Sequence, residues 1–268
     1  MSAIILIRGG GDLASGVALR LHRAGLQIVI TEIAQPLAVR RTVAFANAVY
    51  ESTCTVEDVA ARLVSPDQLH IALEAGEIPV LIDPNVKFLS NALLANPQAS
   101  IVVDARLIKQ LPEPLPIRPL LHIGLGPGFT APADADAVIE TQRGHTLGRV
   151  IWDGSASSDT SQPEGDPRRV LRAPIDGVFN SEASIGEHFE SGQPIATIDD
   201  QVITAPFAGT LRGLLYPGIL ATKGMKIGDL DPRDDCSLCF LISDKALAVG
   251  GAVLEVLLSK PEIRARLW

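Results

Sequence analysis

Ile4-Ile5-Leu6-Ile7-Arg8-Gly9-Gly10-Gly11-Asp12-Leu13-Ala14-Ser15-Gly16 opens the chain with an apolar run, three glycines and the start of a helix. The run predicts a buried strand, and the glycines predict a turn. The apolar positions that follow have helical spacing: Ala14, Val17, Ala18 and Leu21. Gly9-x-Gly11-x-x-Ala14 fits the strand–turn–helix fingerprint of dinucleotide-binding folds, in which glycines let the backbone approach a pyrophosphate at the helix N-terminus. We predict a β-α-β unit with a helix over about Asp12–Arg23 and a second strand over Gln27–Glu32.

Two acidic residues qualify this fingerprint. Glu32 ends the second strand about twenty residues after the glycines, where such folds place an acid on a ribose hydroxyl. Asp12 stands where the anion should lie, and its carboxylate would cap the helix itself and repel a phosphate. The loop therefore predicts a nucleotide-type site at Gly9, Gly10 and Gly11, although the Asp12 carboxylate disfavours the binding of NAD.

The composition limits the class of protein. The chain has 268 residues, of which 47% are hydrophobic and 20% charged, with a mean hydropathy of +0.25. A net charge of −8 argues against a nucleic-acid partner. No apolar run approaches the roughly 18 residues of a membrane span, and no basic leader precedes the first strand. We expect a soluble, cytoplasmic protein without a membrane partner.

Later strand-like runs also end in polar or glycine-rich residues. Ile78–Ile82 precedes Asp83-Pro84-Asn85, Ser100–Val103 precedes Asp104-Ala105-Arg106, and Leu120–Ile123 precedes a glycine-rich loop. If these strands are parallel to the first, their ends share one carboxyl edge, where open α/β sheets bind ligands. Each motif alone has a structural interpretation as a turn or a local ion pair. The predicted cofactor-binding residues are Gly9, Gly10, Gly11, Asp12, Glu32, Arg40, Arg41, Asp104, Arg106, Gly124, Gly126 and Gly128.

Arg40 and Arg41 follow the second strand closely, and two interpretations stay open. Their guanidinium groups would suit phosphate contact at the crevice, or they are solvated at a helix start.

The three cysteines do not form a disulfide framework. Cys54 is the one candidate for catalysis or sulfur handling, against the alternative of a small buried side chain. Cys236-Ser237-Leu238-Cys239 is at most half of a zinc site, and we predict no metal. Because Cys239–Ile242 has the pattern of a strand, buried structural thiols are the favoured interpretation.

A repeat defines the second half of the chain. Ala173-Pro174-Ile175-Asp176-Gly177 returns as Ala205-Pro206-Phe207-Ala208-Gly209, an offset of 32 residues (173 to 205). The pattern resembles the barrel-sandwich (biotinyl/lipoyl-like) fold of two four-stranded halves. In carrier domains of that fold a hairpin presents a lysine, but Thr197–Val202 has none, so we expect neither biotin nor lipoate.

The expected fold is α/β, with a Rossmann-like, mostly parallel sheet and an inserted all-β barrel-sandwich domain. The α/β domain covers 1–154, and residues 155–167 form a linker rich in turn formers. The barrel covers 168–235. A C-terminal helix capped by Ser243 returns to the first domain, so 236–268 completes it.

Six stretches of the chain are similar to sequence motifs of a known family: Arg8–Gly16, Pro36–Thr42, Val103–Arg106, Gly124–Phe129, Glu140–His145 and Ile242–Gly251. They resemble the YqeB family, accessory proteins of the selenium-dependent molybdenum hydroxylase system. The resemblance implies a maturation factor for a hydroxylase of the xanthine or purine dehydrogenase type. By looser analogy with the Rossmann-like XdhC proteins, it implies handling of a molybdopterin-type cofactor. It assigns no catalytic residue.

Three functions are therefore open. The first is an accessory protein that binds a nucleotide-like or molybdopterin-type cofactor at the strand-end crevice, with the hydroxylase apoenzyme as partner. The second is an NAD(P)-dependent oxidoreductase, favoured by the glycine loop and Glu32. The third is a non-enzymatic scaffold that docks a partner through the barrel. Homo-oligomer formation is compatible with each.

Overall fold

The chain divides into two compact units. The computed structural model describes residues 3–87, 100–110, 112–158 and 166–268. Unit 1 comprises Met1–Pro36, Phe45–Asp159 and Ile242–Trp268, and unit 2 comprises Leu37–Ala44 and Thr160–Leu241. Part of the predicted linker, residues 159–165, lies outside the described residues. The segment Leu37–Ala44 joins unit 2, although the sequence pattern does not separate it from the first domain.

Unit 1 is an α/β fold around a large sheet. Its strands are β1 Ile4–Arg8, β2 Gln27–Glu32, β3 Thr53–Val56, β4 Val59–Leu63, β5 Ile78–Ile82, β6 Ser100–Asp104, β7 Leu121–Leu125, β8 Thr130–Ala131, β9 Ala137–Ile139, β10 Val150–Ile151 and β11 Gly154–Ser155. Its α-helices within the described residues are α1 Asp12–Arg23, α2 Ala48–Glu51, α3 Leu69–Glu74, α4 Asp244–Ser259 and α5 Pro261–Arg264. The predicted bounds of α1 and β2 are confirmed.

The sheet of unit 1 is mostly parallel. Among the described residues it has nine strands in the order β10-β9-β7-β6-β1-β2-β5-β4-β3, and only the end strands β10 and β3 are antiparallel to their neighbours. β8 and β11 form a separate pair. β1 lies at the centre because Ile5, Leu6 and Ile7 are apolar on both faces and fully buried. The predicted parallel sheet with a shared carboxyl edge is confirmed.

The chain order changes direction across β1. β2 pairs with one side of β1, and after β5 the chain returns to pair β6 with the other side. Open α/β sheets bind ligands at such a switch point, outside the carboxyl ends of the strands. Arg8 and Asp104, the last residues of β1 and β6, are direct register partners at this position.

Helices α1 and α4 pack so closely that their backbones are in contact. A Cβ on Gly16 of α1 would lie 2.6 Å from backbone atoms of Ala246, and one on Gly250 of α4 would lie 2.6 Å from the Gly16 carbonyl oxygen. Ser243 caps α4, since its Oγ accepts the Ala246 amide at 3.2 Å. The C-terminal helix therefore packs within the first unit, as its apolar sequence predicts.

Unit 2 consists of small antiparallel sheets. Its strands are β12 Val170–Arg172, β13 Gly177–Asn180, β14 His188–Phe189, β15 Pro194–Ile198, β16 Gln201–Thr204, β17 Gly209–Leu214, β18 Leu220–Ala221 and β19 Lys226–Asp231. Within the described residues they form two four-stranded sheets, β12-β19-β17-β14 and β16-β15-β13-β18.

The repeat has a structural counterpart in unit 2. The first residues of β13, β14 and β15 (177, 188 and 194) correspond at the repeat offset to those of β17, β18 and β19 (209, 220 and 226). Two hydrogen bonds are also reciprocal: Gly186 N donates to Leu211 O, and Gly218 N donates to Phe179 O, each at 2.8 Å. The duplicated halves therefore exchange equivalent strands between the two sheets.

The segment after β19 differs from its prediction. Cys236–Cys239 forms a 3₁₀ turn, and no strand is assigned to the described residues that follow it before α4. Asp235 caps the turn by accepting the Ser237 amide at 3.0 Å, which favours a helical turn over an extended chain. The predicted strand over Cys239–Ile242 is therefore wrong. No helix in the described part of the chain is long and apolar enough to cross a membrane.

Candidate functional site

Two arginines bind one buried aspartate at the switch point. Asp104 is fully buried, and its Oδ2 accepts Arg8 Nη1 at 2.9 Å. Arg106, two residues further along, donates from Nε to Oδ1 at 2.9 Å and from Nη2 to Oδ2 at 2.7 Å. The other Arg8 terminal nitrogen donates to the Pro84 carbonyl at 3.2 Å. We call Arg8, Asp104 and Arg106 the arginine–aspartate cluster.

The three residues of the cluster sum to one positive charge, the Glu113 carboxylate also acts on both arginines, and Arg106 is the accessible member. Burial lowers the pKa of Arg8, and the Asp104 charge opposes that shift. The hydrogen bond with Asp104 raises the pKa of Arg106, so both guanidinium groups are charged at neutral pH. The Arg106 side chain is 29% exposed, against 7% for Arg8. An external anion can therefore reach Arg106, while Arg8 serves as the buried counter-charge.

Two buried nitrogen atoms, one in the cluster and one on His122, lack a hydrogen-bond partner in the described part of the chain. Arg8 Nε and His122 Nε2 have no hydrogen-bond partner within the described residues. His122 Nδ1 lies 2.9 Å from the Asp134 carbonyl oxygen, so Nδ1 carries the proton and Nε2 is an acceptor. Burial lowers the pKa of His122, which is therefore neutral at pH 7. The interior beside Asp104 thus holds one unsatisfied donor and one unsatisfied acceptor.

The first glycine loop is covered by its own chain. A Cβ on Gly10 would lie 2.8 Å from the Ala46 amide nitrogen, and that amide donates to the Gly10 carbonyl at 2.8 Å. Gly9 has a φ of +92° that favours glycine, whereas a Cβ on Gly11 would meet nothing within 4 Å. Close approach explains Gly10, but the approaching group is the backbone of Ala46.

The carboxylates of Glu32 and Asp12 accept hydrogen bonds from backbone amides in and next to this loop. Glu32 Oε2 accepts the Gly10 amide at 2.7 Å, and Oε1 accepts the Ile33 amide at 2.8 Å. Asp12 Oδ1 accepts the Leu13 amide at 2.9 Å, in the first turn of α1. These two acids therefore stand where the fingerprint places an anionic ligand and its ribose. The N-cap residue of α1 is Gly11, with no side-chain cap hydrogen bond, and Asp12 is the first residue of the helix, so the predicted capping role of Asp12 is wrong.

Packing explains the second glycine loop. A Cβ on Gly124 would lie 2.3 Å from the Phe129 ring, and one on Gly128 would lie 2.3 Å from the Ile108 carbonyl oxygen. Gly126 has a φ of +83° and sits against Thr141. Each predicted glycine of this loop thus has a structural reason of its own.

Apolar side chains are exposed at the same edge. Ile33, Ile82 and Leu107 end or follow β2, β5 and β6, and each is more than one-third exposed. Leu107 and the buried Val86 have φ values of +56° and +55°, which cost non-glycine residues free energy and concentrate at functional sites. Sequence reasoning missed these residues, and it missed Arg8, although Arg8 lies inside the quoted fingerprint.

Arg40 and Arg41 lie in unit 2 and bind its carbonyl groups. Arg40 Nη2 donates to the carbonyls of Leu238 and Leu241 at 3.3 and 3.1 Å. Arg41 Nε donates to the Leu214 carbonyl at 2.8 Å, and its guanidinium lies 5.2 Å from the Tyr216 ring centroid. The structure thus assigns both arginines to a different compact unit from Gly9–Gly11.

Cys54 lies on β3 and donates to the Phe45 carbonyl at 3.6 Å. Burial raises the pKa of its thiol to about 11, which disfavours the nucleophilic thiolate. Among the described residues, no group of three or more His, Cys, Asp or Glu side chains is arranged to hold a metal ion.

The fold and the cluster define an α/β protein with charged residues at the switch point of a mostly parallel sheet. The chain is 45% identical over 261 residues to the uncharacterized protein YqeB of Escherichia coli, which supports the YqeB family. The alignment covers 95% of this chain and 47% of that protein, so the chain spans about half the length of the curated relative it matches.

Other comparisons are distant. No protein-family model matches the chain. A product-bound structure of the ectoine utilization protein EutE (DoeB) from Ruegeria pomeroyi aligns over 85% of both chains at 13% identity, with a TM-score of 0.25. A succinylglutamate desuccinylase from a Silicibacter species aligns over 86% of both chains at 14% identity, with a TM-score of 0.24.

Proposed function

We propose that this chain binds a nucleotide-like or molybdopterin-type ligand at the carboxyl edge of its parallel sheet. We further propose that it acts in the cytoplasm as a maturation protein for a molybdenum hydroxylase of the xanthine or purine dehydrogenase type. The observation that carries the binding proposal is the arginine–aspartate cluster at the switch point between β1 and β6. The hydroxylase partner rests on the resemblance to the YqeB family alone.

The cluster suits an anionic group. Arg106 presents a planar fork of donors, which matches the geometry of phosphate and carboxylate oxygens. When Arg106 turns toward a ligand, Asp104 keeps its bond to Arg8, so no buried charge is left without a partner. In this exchange Arg106 gives up its two hydrogen bonds to Asp104, and the oxygen atoms of the ligand replace them.

The apolar residues suit the ring of such a ligand. Leu107 follows Arg106 directly, and Ile82 ends β5 two strands from β1. Ligand sites combine apolar walls with a few polar groups that fix orientation. An edge with both an arginine fork and exposed aliphatic side chains thus fits a planar heterocycle that carries phosphate.

A titration tests the binding proposal. Isothermal calorimetry of the purified chain with molybdenum cofactor, and separately with its dinucleotide form, should give saturable binding that R106A weakens at least tenfold. R23A is the matched control, because Arg23 is an exposed arginine at the opposite end of α1 from the glycine loop. Absence of saturable binding by either probe, or equal effects of R106A and R23A, would refute the proposal.

The competing enzyme hypothesis has a distinct readout. In an NAD-dependent oxidoreductase with this fingerprint, Glu32 would bind a ribose hydroxyl, whereas here the Glu32 oxygens accept the Gly10 and Ile33 amides. Titration with NADH and NADPH, followed by nicotinamide fluorescence, separates the two functions. Tight NADH or NADPH binding would favour the oxidoreductase.

Unit 2 supports a proposal of its own, a barrel-sandwich domain that docks the hydroxylase. Its two sheets exchange equivalent strands at the repeat offset, as a duplicated barrel requires. Val178 and Leu220 are register partners on neighbouring strands and are both exposed. V178D/L220D should abolish pull-down of the hydroxylase apoenzyme and leave ligand binding unchanged. The opposite pattern would exclude docking through this face.

A further inference from the structure

The turn Cys236–Cys239 brings two thiols of unequal exposure into one helical turn. Cys236 is exposed and Cys239 is buried. A 3₁₀ helix has three residues per turn and rises about 2 Å per residue, so residues i and i+3 lie on the same side about 6 Å apart. Disulfide-bonded residues have Cα atoms roughly 4.4–6.8 Å apart. By ideal 3₁₀ geometry the Cα atoms of Cys236 and Cys239 therefore lie within the range that a disulfide spans.

Other parts of unit 2 hold this turn in place. Thr42 Oγ1 donates to the Cys239 carbonyl at 2.6 Å, and Arg40 donates to the carbonyls of Leu238 and Leu241. Asp235 fixes the start of the turn through the Ser237 amide and hydroxyl. The two cysteines are thus preorganised by contacts on both sides of the turn.

The surroundings give the two thiols different chemistry. Burial raises the pKa of Cys239, which disfavours its thiolate while the thiol stays in the interior. Cys236 is open to solvent, so a reagent in solution meets it first. Thiol–disulfide exchange needs an accessible attacking thiolate and then a nearby resolving thiol.

We propose that Cys236 and Cys239 form a thiol–disulfide exchange site that reacts with small-molecule disulfides. The Cys236 thiolate attacks one sulfur of the disulfide, whose S–S bond breaks and releases one thiolate. The Cys239 thiol then attacks the Cys236 sulfur and displaces the second thiolate, which takes up the Cys239 proton and leaves as a thiol. The small-molecule disulfide is reduced to two thiols, and the protein dithiol is oxidised to an intramolecular disulfide.

The fold tolerates the loss of the Cys239 thiol hydrogen. Cys239 Sγ donates to the Leu211 carbonyl at 3.7 Å, a weak bond. The same carbonyl also accepts the Gly186 amide at 2.8 Å, so it stays satisfied after oxidation. After oxidation the Leu211 carbonyl of β17 therefore still accepts one hydrogen bond.

Alkylation and intact mass spectrometry test the site. The full-length protein is incubated with glutathione disulfide, quenched in acid, unfolded and alkylated with N-ethylmaleimide. Wild type should lose two hydrogens and retain one alkylatable thiol, Cys54. C239S should stop at a glutathione adduct on Cys236, and C236S should stay unmodified. C54S is the matched control and should still form the disulfide.

Three results would overturn the proposal. A stable glutathione adduct on Cys236 of wild type would show that Cys239 does not resolve it. If Cys239 in C236S is modified as fast as Cys236 in wild type, Cys236 is not the attacking thiol and Cys239 is not the resolving thiol. Three alkylatable thiols after prolonged incubation of wild type would show that no exchange occurs, a result that depends on no variant being folded.

Discussion

Glu32 Oε2 accepts the Gly10 amide at 2.7 Å, and this bond ties the end of β2 to the glycine loop that follows β1. In the dinucleotide fingerprint the same two positions contact the ligand separately, the acid through ribose and the loop through phosphate. Here they contact each other. The loop therefore presents a carboxylate where a phosphate would need a donor, which is why our binding proposal places the anion at Arg106, two residues after β6.

This relationship predicts the effect of Glu32→Gln. The glutamine oxygen can accept only one of the Gly10 and Ile33 amides, and its NH2 group then faces the other donor, so the free energy of unfolding should fall by about 1 kcal/mol. Removal of the negative charge should strengthen binding of the molybdopterin dinucleotide by about 1 kcal/mol, or about fivefold, at low salt. Calorimetry measures the change. Weaker dinucleotide binding with unchanged phosphate binding would instead mean that Glu32 holds a ribose hydroxyl.

The arginine–aspartate cluster predicts unequal costs for its members. Asp104→Asn leaves two guanidinium groups around a neutral side chain, one of them deeply buried, and should destabilise the protein by about 3–5 kcal/mol. Arg106→Ala removes a partly exposed group while Arg8 stays paired, and should cost about 1 kcal/mol. Urea denaturation compares the two variants. Equal losses of unfolding free energy would mean that Arg106, not Arg8, is the essential partner of Asp104.

Local patterns predicted the opening of the fold well. α1 and β2 match their predicted bounds, and β1 extends one residue beyond the predicted apolar run Ile4–Ile7. These elements could be predicted because an apolar run, a glycine turn and an apolar helical stripe follow one another directly in the sequence. The shared carboxyl edge follows from the parallel strands. The repeat also predicted equivalent strands in unit 2, because duplication leaves its signal at one fixed offset.

The site could be predicted only in part. Asp104 and Arg106 are adjacent to a strand end and were recognised, but Arg8 pairs with Asp104 across 96 residues. That pairing depends on the order of β1 and β6 in the sheet, which no local pattern contains. Gly124 and Gly128 show the converse problem, since a glycine required by Phe129 or Ile108 has the same sequence signal as one required by phosphate.

Two adjacent glycines of α4 predict opposite effects on stability. A Cβ at Gly250 would lie 2.6 Å from the Gly16 carbonyl, so Gly250→Ala should separate α1 from α4 and cost about 1–3 kcal/mol. At Gly251 a Cβ would meet nothing within 4 Å, so Gly251→Ala should stabilise the helix by about 0.5–1 kcal/mol. Thermal melts of both variants measure the contrast. A shift of the same sign in both would contradict the close helix contact.

The buried aspartates of unit 2 predict a loss of stability in acid. Burial alone would raise the pKa of Asp231, but hydrogen bonds from Arg233 and the charges of Arg169 and Arg212 hold it well below its ordinary value. Because the unfolded carboxyl titrates near pH 4, the native state binds fewer protons there, and the stabilisation present above that pH is lost as pH falls. Asp231→Asn should therefore be less stable than wild type at pH 7, and the difference should shrink between about pH 5 and pH 2.

Urea midpoints of wild type and Asp231→Asn across this pH range measure that difference. Asp200→Asn is the control, because Asp200 lies exposed between β15 and β16. It should follow wild type throughout. A difference between Asp231→Asn and wild type that stays constant from pH 7 to pH 2 would mean that packing at this position, and not the charge held by the three arginines, supplies the stabilisation.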